Sequence, residues 1–181
     1  NSDVTFDLST NEMQVHDKKG ENWKVTILDT GLNTMTGGRV LRAKQYLENE
    51  RFLLTYGDGV ADVDLNALLA FHEQHGGIAT MTTVSLAQQK GVLEKDDKGQ
   101  ILAFREKNDE DAAIINGGFM VLEPKVFDYL EGDATVLEQE PMRKLAAEGQ
   151  LFGYAHDGFW QCMDTQREKE KLETLWDEDK A

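Results

Sequence analysis

The sequence predicts an α/β layered fold with a largely parallel sheet. Hydrophobic periodicity switches back and forth between the two-residue repeat of strands and the 3.6-residue repeat of helices. RFLLTY (51–56) is an apolar run without alternation, as expected of a central strand covered on both faces. With 181 residues, 40% of them hydrophobic, and only 2 Pro, the chain is long enough for one domain, residues 1–181, with a full core.

VTFDL (4–8) and MQVHD (13–17) alternate apolar with polar residues around Ser9-Thr10-Asn11, which predicts a hairpin. WKVTILD (23–29) reads as a further strand. After the loop GLNTMTGG, residues 39–49 place Val40, Leu41, Ala43 and Leu47 at helical spacing, so a helix begins just past the glycines. A second helix spans 64–75, with Asp64 as its N-cap and Leu65, Leu68, Leu69 and His72 on one face. Strands follow at 78–85, 91–95, 101–106 and 115–122, then helices at 124–130 and 138–148. The strand LFGYAH (151–156), the segment DGFWQCMDT and a charged helix at 165–177 close the order.

A formal net charge of −15 argues against a nucleic-acid surface, which needs clustered Lys and Arg. The one cysteine, Cys162, rules out an internal disulfide framework. No apolar run approaches the roughly 20 residues needed to span a bilayer, and no signal peptide stands at the N-terminus. These features fit a reducing cytoplasm, with neither nucleic acid nor membrane as partner. The opening Asn1-Ser2-Asp3 does not read as a natural start.

In layered α/β folds ligands bind at the carboxyl ends of strands, which places Asp58 of YGDG at a binding edge. Gly57 and Gly59 leave the backbone beside it free of Cβ atoms. A carboxylate held there is a hard-oxygen ligand for Mg²⁺, which takes one or two carboxylates together with phosphate oxygens. Capping of the turn is the other reading of Asp58.

DTGLNTMTGGR (29–39), YGDGVAD (56–62), INGGF (115–119), LEQEP (137–141) and GFWQCMDT (158–165) together resemble the sugar nucleotidyltransferases, in their cytidylyltransferase branch, along nearly the whole chain and in the same order. The resemblance implies a Rossmann-like nucleotidyltransferase fold: a mostly parallel mixed sheet flanked by helices. It implies transfer of a cytidylyl group from CTP to glucose 1-phosphate, with Mg²⁺ as cofactor and a homo-oligomeric assembly. Matched residue by residue, it makes Asp58 and Asp164 the metal ligands and puts Asn33, Gly38 and Gly57 against the nucleotide. It puts Gly91, Glu106, Lys107, Asn116, Gly117 and Gly118 on the sugar side, with Lys107 holding phosphate. The reaction brings two anions together, so metal and Lys must offset their charge.

Each residue also has a structural reading. Asp164 precedes Thr165 and a helix and could be its N-cap; Glu106 and Lys107 could end an exposed strand, and Asn33 could be an ordinary loop residue. Phe159, Trp160 and Cys162 read as core, and His72 and His75 as packed or surface residues. The chain departs from the family pattern at Asn108, where Pro usually follows Glu-Lys, and at AQQK (87–90), both on the sugar side. The family's first strand and its glycine-rich triphosphate loop have no counterpart here, so this stretch corresponds to the C-terminal two-thirds of such an enzyme and is expected to be inactive alone. A noncatalytic sugar-phosphate-binding or scaffold module of the same fold is the alternative. A glycosyltransferase using Asp62 and Asp64 as an Asp-any-Asp metal motif is a weaker third.

Overall fold

Small and β-branched residues let the segment after Ile78 run as a strand through the interior. Ala79, Thr80, Thr82 and Val84 are buried, and Met81 and Thr83 are partly so. In the computed structural model, which describes residues 3–16, 23–47, 49–86, 92–95, 101–105 and 113–178, this strand is β5 (Ala79–Leu86). The elements before it are β1 (Val4–Asp7), β2 (Glu12–Val15), α1 (Thr36–Ala43), β3 (Phe52–Leu54), β4 (Gly59–Ala61) and α2 (Leu65–His75). Those after it are β6 (Val92–Lys95), β7 (Ile101–Arg105), β8 (Ala113–Leu122), α3 (Glu140–Ala147), β9 (Leu151–His156), β10 (Trp160–Cys162) and α4 (Gln166–Asp177).

The main sheet has the order β3-β8-β5-β9. β9 is parallel to β5, whereas β8 is antiparallel to both β5 and β3, so β3, β5 and β9 share one direction in a mixed sheet. The pairs β1-β2, β4-β10 and β6-β7 form separate two-stranded ladders. The core gathers Met120 and Leu122 of β8, Leu145 of α3, Val126 and Phe127 of the 3₁₀ helix Pro124–Tyr129, and Leu137 of the loop that follows it. Stacking of Phe52 on Phe127, with ring centroids 5.8 Å apart, closes the β3 side.

Helix α2 starts where Asp64 accepts from the N–H groups of Asn66 (2.9 Å) and Ala67 (3.0 Å), and it stops at Gly76, left-handed at φ 63°. Its inner face carries Leu68 and a buried polar chain. Gly77 N–H donates to His75 Nδ1 (2.9 Å), so the neutral His75 ring bears its proton on Nε2 and donates to Thr80 Oγ1 (2.7 Å). Thr80 in turn donates to His72 Nδ1 (2.7 Å), which leaves His72 Nε2–H to donate to Glu123 (3.0 Å). His72 and His75 are therefore packed residues.

The hairpin at 4–15 forms as the alternation predicts, with Val4 opposite Val15 and Phe6 opposite Met13. Several expectations change. Residues 23–30 form no strand: Trp23, Val25 and Ile27 alternate correctly, but they are 79%, 73% and 92% exposed, and the segment pairs with no strand among the described residues. Among the described residues β3 is an outer strand of the sheet, not a central one, and Leu53 is exposed. Helix α1 begins at Thr36 and takes Gly37 and Gly38 into its first turn. It ends at Ala43 and passes into a short 3₁₀ turn, Lys44–Tyr46. Residues Pro124–Tyr129 form a 3₁₀ helix in place of an α-helix. Among the described residues no helix is long and apolar enough to cross a membrane.

Candidate active site

The YGDG loop joins β3 to β4, and β4 pairs antiparallel with β10, Gly59 facing Cys162 and Ala61 facing Trp160. The ladder continues one step further, where Met163 N–H donates to the carbonyl of Asp58 at 3.0 Å. Asp58 thus lies across the ladder from the residue that precedes Asp164. Three-residue strands have no readable periodicity, and neither β4 nor β10 was predicted; their pairing is what brings these two acidic positions to one strand end.

Both carboxylates lose their structural readings. The exposed Asp58 side chain accepts no hydrogen bond from the described residues, so it caps no turn. Thr165, not Asp164, is the N-cap of α4, in a reciprocal capping box with Glu168. Asp164 instead accepts from the Cys162 thiol at 3.3 Å. Partial burial, and then the Asp164 charge, push the Cys162 pKa up, so the group stays a protonated donor rather than a nucleophile. Cys162, Asp164 and Glu168 present ligand atoms within 4.8 Å of one another, but Glu168 is committed to Thr165. The two exposed carboxylates, Asp58 and Asp164, are hard-oxygen donors of the kind Mg²⁺ takes. At Gly57 and Gly59 an added Cβ would meet nothing within 4 Å, so the protein's own packing does not require glycine at either place.

Residues 116–118 of β8 lie against Tyr56. Gly118, at φ +88°, holds the Tyr56 ring so closely that a Cβ would lie 2.8 Å from Cδ2. Asn116 Oδ1 accepts from Gly118 N–H (2.8 Å), and Asn116 Nδ2 donates to the Tyr56 hydroxyl (3.2 Å). The Gly117 carbonyl accepts from the Trp160 indole at 2.8 Å, which marks Trp160 as a structural anchor. Tyr56 donates to Glu138 at 2.6 Å; burial first, and then Glu138, push its pKa well above the usual phenol range.

On the side expected to hold the nucleotide, Asn33 is exposed and Gly38 is buried. The N–H groups of Gly37 (2.9 Å) and Gly38 (3.2 Å) both donate to the Thr135 carbonyl, and a Cβ on Gly38 would lie 2.7 Å from Asp133 Cα. Close packing on the 133–135 backbone is therefore the local reason for glycine at 38. Arg39 bonds Thr30 Oγ1 (2.5 Å) and the Leu32 carbonyl (3.4 Å), while Arg42 grips Asp133 with two hydrogen bonds; together they shape the loop that carries Asn33.

Gly91, Glu106 and Lys107 lie outside the described residues. Asp62 and Asp64 do not act as a pair: Asp64 caps α2, and Asp62 lies 3.1 Å from His156 Nε2. Sequence reasoning missed Tyr56 and Glu138 as partners, although both stand inside motifs that it singled out.

Loops gathered at the ends of a mixed sheet flanked by helices form a nucleotidyltransferase architecture, and the chain belongs to that family. The nucleotidyl transferase family model matches residues 4–162. The glucose-1-phosphate cytidylyltransferase of Salmonella typhi is 50% identical over 181 residues, 99% of this chain and 70% of that protein. A probable glucose-1-phosphate cytidylyltransferase of Bacillus subtilis is 45% identical over 176 residues, 97% of this chain and 68% of that protein. Among solved structures, HddC from Yersinia pseudotuberculosis superposes with a TM-score of 0.67 at 19% identity, covering 88% of this chain and 70% of that one. A UDP-glucose pyrophosphorylase complexed with UDP-glucose gives 0.58 at 15%, covering 83% and 64%. At such identities these two speak for the fold alone.

Proposed function

We propose that the site serves Mg²⁺-dependent transfer of a cytidylyl group from CTP to glucose 1-phosphate, giving CDP-glucose and pyrophosphate. The observation that carries this is the Asp58–Met163 contact at the end of the β4-β10 ladder, which sets two exposed carboxylate positions on adjacent strands of a chain 50% identical to a glucose-1-phosphate cytidylyltransferase. Asp58 and Asp164 would hold Mg²⁺, which when bound supplies positive charge to the phosphates.

The open space beside Gly57 and Gly59 admits a bulky phosphate group. Asn33, with the Arg39-braced loop behind it, is assigned to the nucleotide together with Gly38 and Gly57. Asn116, Gly117 and Gly118 are assigned to the sugar with Gly91, Glu106 and Lys107, and Lys107 adds a cationic point charge for phosphate. In the reaction a phosphate oxygen of the sugar forms a bond to the α-phosphorus of CTP as the bond to pyrophosphate breaks. Cytoplasmic location and assembly with further copies of the chain complete the reading; Val4, Phe6, Met13 and Val15 give the hairpin an exposed apolar face that suits a subunit contact.

Titration with CDP-glucose, with and without Mg²⁺, tests the assignment. Tight binding only with Mg²⁺ is expected, and equal binding in both conditions would favour a noncatalytic module.

A further inference from the structure

Three segments carry the residues assigned above: the 29–38 loop, the 56–58 loop and the 116–118 stretch of β8. A fourth segment, 137–141, contributes Glu138, whose two oxygens each engage one of these regions. Oε1 accepts from the Tyr56 hydroxyl at 2.6 Å, two residues before Asp58. Oε2 accepts from the Thr36 hydroxyl at 2.6 Å, in the first turn of α1.

The protons can be traced through the whole chain. Tyr56 gives its only proton to Glu138, so its oxygen is free to accept from Asn116 Nδ2 at 3.2 Å. Asn116 Oδ1 then accepts from Gly118 N–H at 2.8 Å. Thr36 likewise gives its proton to Glu138, and its oxygen accepts from Leu137 N–H at 2.9 Å. Both arms end on Glu138, one on each carboxylate oxygen.

We propose that Glu138 is a positioning residue for nucleotidyl transfer: its carboxylate couples the loop of Asp58 to the start of α1 and, through Tyr56, to the Asn116–Gly118 segment. The proposal rests on the cytidylyl-transfer reading above. Glu138 is exposed and lies outside the apolar core, so the fold loses little when it is removed. What its removal changes is the relative placement of three ligand-facing segments, and misplacement of a supporting group acts on binding and rate far more than on stability.

The test compares Glu138→Ala, Glu138→Gln, Tyr56→Phe and the double variant Glu138→Ala/Tyr56→Phe with the unaltered chain. The measurements are Mg²⁺-dependent CDP-glucose affinity and melting temperature. Loss of Glu138 should weaken the Mg²⁺-dependent affinity by about 10- to 100-fold, the range for second-layer partners of a metal site, with the melting temperature nearly unchanged. Glu138→Gln, which keeps one acceptor, should fall between. The Tyr56→Phe and Glu138→Ala losses should not add.

Additive losses, or an affinity within about twofold of the unaltered chain in Glu138→Ala, would overturn the positioning role alone. An unaltered chain whose binding ignores Mg²⁺ would overturn the transfer reading and this role with it.

Discussion

Asp58 accepts the backbone N–H of Met163 at 3.0 Å, so the residue at the centre of the GDG turn and the neighbour of Asp164 are held together by the backbone rather than by their side chains. Substituting either carboxylate therefore leaves the ladder intact. Asp58→Asn and Asp164→Asn should each remove the Mg²⁺-dependent part of CDP-glucose binding, by at least the roughly 10- to 100-fold that loss of a second-layer partner costs a metal site. Metal-independent binding and melting temperature should stay close to those of the unaltered chain. Calorimetric titration with and without EDTA checks this, and unaltered Mg²⁺ dependence in both variants would remove the metal assignment.

Acid should loosen the α2-β5 contact. Burial, and then the neighbouring His72, lower the His75 pKa, and its Nδ1 accepts from Gly77 only while unprotonated. A depressed folded-state value means that the unfolded chain binds the proton more readily. The stabilisation is therefore complete above about pH 6.5 and is lost as pH falls below it. Melting curves from pH 7.5 to 5 should drop by a few degrees, and His75→Gln should flatten that slope. Glu123, whose bonds to Arg51 and His72 outweigh its burial and keep its pKa low, acts in a separate window below the usual carboxylate range.

Thr82 lies in the middle of β5, fully buried, with an Oγ1 that has no hydrogen-bond partner among the described residues. A buried hydroxyl without a partner costs about 1–3 kcal/mol, and valine has nearly the same shape. Thr82→Val should stabilise the chain by about 1 kcal/mol, which raises the melting temperature by roughly 2–4 °C for a protein of this size. A fall in melting temperature would show that the hydroxyl is satisfied.

Gly38→Ala sets a methyl 2.7 Å from the Asp133 backbone, which cannot rotate away. A loss of about 1–3 kcal/mol is expected, as for an overpacked core. Gly57→Ala, whose Cβ meets open space, should leave the stability within about 0.5 kcal/mol while weakening CDP-glucose binding. The two glycines thus separate packing from ligand access in one experiment.

Local signals were read well. Asp64 before a 3.6-residue apolar repeat gave α2 together with its cap, and strict alternation gave the hairpin at 4–15. Alternation reports which side chains share a face, not whether a partner strand exists, so WKVTILD looked like a strand and pairs with nothing among the described residues. An apolar run such as FLL does not distinguish an outer strand from an inner one, and among the described residues β3 is an outer strand of the main sheet. At the site, Asp58 stood out through its flanking glycines. Glu138 did not, because its partners Thr36 and Tyr56 are distant in sequence and no spacing encodes them.

Gly118 and Tyr56 occupy one shared volume, and that restricts how this region can diverge. A side chain at 118 fits only if the ring at 56 is exchanged for something smaller. That exchange also deletes the hydroxyl that Glu138 and Asn116 meet. Position 118, left-handed at φ +88°, therefore cannot drift alone, so any variant with a side chain at 118 recovered from a randomised library should carry a smaller residue at 56.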